Sequence, residues 1–163
     1  MTKLIAILLL ALIQVNSVQA ADDIDCENAM SQTAMNICAA KDATHAKEDL
    51  ATAIQDARRD LHTAIDRSTD ETWEIPRLRE TLRLVNDLAA EQTSEGYDYD
   101  GNPENYVAPV YEKWASFKCE TESLGSFGGS IRSLEVSSCL TDFYTQQKQN
   151  VEQMVAEALA SRF

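Results

Sequence analysis

The sequence predicts an all-α protein, about four antiparallel helices in a small bundle stapled by two disulfides. Three observations carry that expectation. Apolar residues recur at alternating steps of three and four over long stretches, no segment alternates convincingly at period two, and four cysteines follow a leader of the secretory kind.

The leader comes first. Residues 1–20 hold Lys3, an apolar run over residues 4–13, and Val18-Gln19-Ala20 ahead of Ala21. That is the pattern of a signal peptide with a small residue at the cut. The run is too short to span a bilayer, and no cysteine stands at the cut to take a lipid. The expected product is an exported chain, periplasmic or secreted, in which residues 21–163 form one domain with no membrane insertion. Because such a compartment is oxidising, Cys26, Cys38, Cys119 and Cys139 are expected as two disulfides. The pairing Cys26–Cys38 with Cys119–Cys139 closes each loop within one helix-loop unit, at about 3 kcal/mol apiece in the chain-entropy model. The crossed pairings stay open on sequence alone.

The first helix is expected over residues 31–66, with Ser31 as its N-cap. Met35, Ala39, Ala43, Ala46, Leu50, Ala53, Ala57, Leu61 and Ala64 form an alanine-rich seam that lets a partner helix approach closely. Twelve helical steps from Cys26 to Cys38 would span about 18 Å, against the roughly 7 Å a disulfide tolerates, so the residues before Ser31 must fold back along the helix. A turn follows at residues 67–70, with Asp70 placed to cap a second helix that has Pro76 in its opening turns and a stripe of Leu78, Leu82, Val85 and Ala89.

Residues 93–103 (TSEGYDYDGNP) read as an inserted acidic loop. An EF-hand register fails there, since Gly101 at position six puts Val107 where the bidentate glutamate belongs. A third helix is expected from about Asn105 through Val110, Tyr111, Trp114, Phe117 and Cys119 to about Leu124. Trp114 and Phe117, three apart, share a face and are expected in the core. A glycine-bearing loop follows at residues 125–130. Its glycines could cradle a phosphate, but no strand precedes it and no lysine follows, so a connecting loop is expected. Ser130 is placed to cap the last helix, whose stripe includes Leu134, Cys139, Leu140, Phe143, Val151 and Val155.

Charge bounds the partners. The chain has 27 acidic and 14 basic residues, net −13, and losing the leader removes Lys3 and no acid, giving −14. That excess disfavours nucleic acid and anionic membrane surfaces and speeds encounter with a basic protein, although acidity also serves solubility alone. Catalysis is not expected. His45 and His62 are seventeen residues, about 25 Å, apart on one helix, so together they cannot hold one metal. The cysteines lack the two-residue spacing of a redox motif, and nothing in the sequence calls for a metal or cofactor. The candidate partner contact is the loop at residues 126–130, with Phe127 as its apolar tip.

At Ser31-Gln32, Met35-Asn36 and Cys38-Ala39 the chain resembles the opening signature of the lysozyme-inhibitor LprI-like family of exported bacterial proteins. That signature runs Cys, Thr/Ser-Gln, Glu-Met-Asn, one free position, Cys-Ala. Trp114, Phe117, Lys118, Cys119, Gly128-Gly129-Ser130 and Cys139-Leu140 follow the family's later landmarks in order. The resemblance covers about residues 31–54 and 114–145. Ala34 stands where the family has glutamate, Lys47 where it has aspartate, and Cys119 follows Trp114 by five residues rather than eight. The resemblance implies an exported domain that binds and inhibits a basic lysozyme. The alternative is a non-catalytic structural or interaction module of the cell envelope. The matched positions are cysteines, caps and aromatics, which are expected to specify the fold rather than to touch a partner.

Overall fold

The computed structural model describes residues 24–69, 71, 73–97 and 103–160, with the backbone alone described for residues 91–97 and 103–107. The leader, the Asp70 cap and the centre of the acidic loop lie outside the described residues. A 3₁₀ turn at Cys26–Asn28 leads into α1 (Gln32–Arg67) and α2 (Glu74–Leu88), and strands β1 (Glu91–Tyr97) and β2 (Pro103–Pro109) follow. The chain continues with α3 (Val110–Glu122), a 3₁₀ turn at Ser123–Ser126, and α4 (Arg132–Ala160). Four helices pack together, and two disulfides join Cys26 to Cys38 and Cys119 to Cys139, each with its Cα atoms 5.5 Å apart.

The opening of α1 forms as its sequence dictates. The Ser31 hydroxyl accepts a hydrogen bond from the Ala34 amide at 3.1 Å. Ahead of it, Asp25 caps the 3₁₀ turn by accepting from the Glu27 amide, and the turn folds Cys26 back beside Cys38. The seam of α1 then buries Leu50, Ile54, Ala57, Leu61 and Ala64 against Leu78, Leu82 and Val85 of α2 and Val151, Val155 and Ala158 of α4. The alanines at 57 and 64 leave room for α4 to lie close along α1.

Helix directions depart from simple antiparallel packing. Asn36 bonds to Ser130 at the start of both long helices, and Lys148 pairs with Asp49 further along, so α1 and α4 run parallel. Helix α2 turns back along the second half of α1, with the Ser68 hydroxyl donating to Glu74 at one end and Arg58 donating to Asn86 at the other. Helix α3 then runs in that same direction along the first half, where Glu112 pairs with Lys47. Thus α2 and α3 are laid end to end as one interrupted rod, and the bundle is three rods built from four helices.

The interruption is an antiparallel β-hairpin, Glu91 opposite Pro109 through Tyr97 opposite Pro103. It replaces much of the expected acidic loop, and it displaces the start of α3 from about Asn105 to Val110. The physical reason is closure. The Val110 amide donates to the Ala90 carbonyl at 3.1 Å, so the chain leaves and re-enters the rod at one point and keeps its direction. Alternation at period two is weak here because the hairpin makes few contacts with the bundle beyond the start of α3, so neither of its faces has to be apolar.

Tyr144 sits at the junction of α1, α3 and α4, edge-on to Tyr111 at 6.2 Å and to Phe143 at 5.9 Å between ring centroids. Burial, with smaller contributions from Glu112 and Tyr111, pushes its phenol up to about 12. The folded protein therefore holds this proton more firmly than the unfolded chain does. The stabilisation is complete below about pH 10, where an unperturbed tyrosine titrates, and is lost as pH rises toward 12. The melting temperature is expected to fall across that window, and Tyr144→Phe to flatten the fall in a series of thermal melts.

Candidate functional site

The end of the bundle where α1 and α4 begin and α3 finishes differs from the rest. Both disulfides lie there, with Cys119 fully buried in α3 and bonded to Cys139 of α4. Five large apolar side chains in or next to α3 nonetheless face outward, among them Trp114 at 64 %, Phe117 at 76 % and Phe127 at 75 % exposure, with Leu124 and Ile131. The expectation that Trp114 and Phe117 fill the core is therefore overturned. Their place is taken by Tyr111, Ala115 and Cys119, which occupy steps of four along α3 and are buried.

Helix geometry explains the exchange. Trp114 and Phe117 project about 130° around the axis from the stripe of Tyr111, Ala115 and Cys119. A helix can bury one of these faces only. The Cys119–Cys139 bond turns the second inward, and the aromatics are left as an exposed ridge, with Leu124 and Phe127 also exposed in the segment that follows. Sequence reasoning placed a contact at Phe127 and missed the ridge, although the position of Cys119 opposite Phe117 carried the signal.

The loop is held at several points. The Phe127 amide donates to the Leu124 carbonyl at 3.2 Å, and the Arg132 guanidinium lies 4.9 Å from the centroid of the Phe127 ring. Gly128 has φ of 79°, a left-handed conformation that a side chain would strain. Ser130 does not immediately precede α4, which starts at Arg132; its main-chain oxygen instead accepts from the Asn36 side-chain Nδ2 at 3.4 Å. The Gln32 side chain in turn donates to Asn36 at 2.8 Å. Gln32, Asn36 and Ser130, drawn from both halves of the sequence signature, thus form one relay that ties α1 to the loop. Ala39 is buried, Leu140 packs at the core edge, and Met35 is half-buried, which are structural placements.

Other features offer less chemistry. His45 and His62 are both exposed on α1. A hollow of about 280 Å³ between α1 and α4 is floored by residues such as Ala57 and Val155, and its rim acids Asp56 and Asp60 both pair with Arg59. Among the described residues no helix is long and apolar enough to cross a membrane, and no group of three or more His, Cys, Asp or Glu side chains is placed to hold a metal ion.

Fold and site together define a small, all-helical, doubly stapled domain with an exposed aromatic ridge and an acidic hairpin. No protein-family model, curated protein or solved structure matches the chain.

Proposed function

We propose that this chain is an exported, non-catalytic binding protein for a basic partner, and that a lysozyme-type muramidase, which it inhibits, is that partner. The resemblance to LprI-like proteins supplies the muramidase. Support for a basic partner comes from where the charge lies. Residues 91–109 hold five carboxylates and no basic side chain, and residues 21–30 hold four more, whereas acids and bases nearly balance in α1, α2 and α3. Acidity spread only for solubility would not be gathered on the segments flanking the rods. The one observation that carries the reading is this concentration on a hairpin that stands off the bundle.

The test is the activity of a basic lysozyme at low ionic strength under a large excess of the oxidised mature protein. Inhibition is expected. Raising the salt from about 0.01 M to 1 M shortens the screening length from roughly 30 Å to 3 Å and should slow association by about tenfold or more. Lysozyme activity that stays unchanged at low salt refutes the muramidase reading and favours a structural or interaction module of the cell envelope.

A further inference from the structure

We infer that the α3 ridge, Trp114 and Phe117 running on to Leu124 and Phe127, is the docking face for the basic partner, and that the acidic hairpin beside it orients that partner. This rests on the reading of the chain as a binder of a basic protein and specifies where contact is made. Scattered exposed apolar side chains are ordinary, but here three aromatics and a leucine within fourteen residues stand outward on one short helix and its loop. Exposed tryptophan and phenylalanine on a rigid support are the usual anchors of a protein interface.

Rigidity is built in on every side. Cys119 ties the helix to α4, the Asn36 bond to Ser130 ties the loop to α1, and Arg132 backs the Phe127 ring. A partner therefore meets a surface that needs little ordering, and less of its binding energy is lost to it.

Charge selects the occupant. The hairpin closes at Val110, four residues before Trp114, which is about 6 Å along the helix axis. The hairpin whose strands carry Glu91, Glu95 and Glu104 thus leaves the bundle at one end of the ridge, while α3 itself carries three acids and two lysines. A fitting partner presents an apolar pocket beside lysines or arginines. A second copy of this chain would bring another acidic hairpin to the same place, and an anionic lipid surface would repel the whole molecule.

The experiment uses the full oxidised mature chain. Trp73→Phe leaves Trp114 as the one remaining tryptophan of two, so 5-fluorotryptophan labelling gives a single ¹⁹F resonance from the ridge. Adding an unlabelled basic lysozyme is expected to shift or broaden it. Trp114→Ala with Phe117→Ala is expected to weaken binding at least tenfold with the melting temperature unchanged, since both side chains are exposed. Wild-type affinity in that double variant overturns the proposal.

If the unaltered chain binds no lysozyme, the muramidase reading fails by itself and the ridge is tested with a photo-crosslinking phenylalanine at position 117, against position 62, exposed on the second half of α1, in envelope extract. Basic proteins captured at 117 and not at 62 support the docking face. Capture of the same set at both positions, capture of a second copy, or binding of the chain to phosphatidylcholine vesicles overturns it.

Discussion

Replacing all four cysteines by serine, or reducing both disulfides, is expected to remove about 6 kcal/mol of stability, at roughly 3 kcal/mol for each closed loop. A domain of this size has about 5–15 kcal/mol in total, so the reduced chain should lose most of its cooperative unfolding transition. The loss will not be uniform. Both bridges clamp the same end of the bundle, Cys26 against the second turn of α1 and Cys119 against α4, while the opposite end is held by packing and by hydrogen bonds from Ser68 to Glu74 and from Arg77 to the Ala158 carbonyl. In urea titrations followed by far-UV circular dichroism, the paired variant Cys119→Ser/Cys139→Ser should lower the midpoint and free the loop at residues 123–131. Cys26→Ser/Cys38→Ser should lower the midpoint by a similar amount and leave that loop in place. Equal midpoints for the oxidised and reduced proteins would show that the staples stabilise nothing.

Leu61→Ala is expected to cost about 2–5 kcal/mol, the range of a large-to-small substitution at a fully buried leucine. Leu61 has no solvent exposure and lies in one buried cluster with Leu78 and Val85 of α2 and with Val151 and Val155 of α4. Truncation removes the side chain where all three rods meet, and the flanking Ala57 and Ala64 are too small to close the cavity. Leu84→Ala on the outer side of α2 is the control and should stay within about 0.5 kcal/mol, because that residue is 43 % exposed and lies outside the buried cluster. Chemical denaturation of the two variants beside the parent protein measures both.

The long helices and the local disulfides were legible for a physical reason. Over thirty-six residues the α1 seam repeats often enough to fix which face turns inward, and a bridge closing a short loop is the least costly link for the chain. Helix α3 is only thirteen residues and apolar on two faces. Spacing alone puts Trp114 and Phe117 together without saying which way they point. Cys119 could have decided it, because Phe117 lies about 200° around the helix from a cysteine that must face α4. The direction of the last helix was hidden by the hairpin. Read as a loop between two antiparallel helices, residues 93–103 imply one more reversal than the chain makes, and the combined length of α2 and α3, close to that of α4, was the available sign that they form a single rod. The Gln32, Asn36 and Ser130 relay spans 94 residues in its longer step, and no local pattern announces it.

In the proposed function, a rigid, doubly stapled corner presents an aromatic ridge and an acidic hairpin to a basic protein. Hydrogen exchange of the oxidised protein, residues 21–163, with and without saturating basic lysozyme at low salt, is the test. New protection is expected in β1, β2 and the segment from α3 through the loop at residues 123–131, with α1 and the second half of α4 unchanged. Protection confined to α1 and α4 around Ala57 and Val155, or none anywhere, would contradict it.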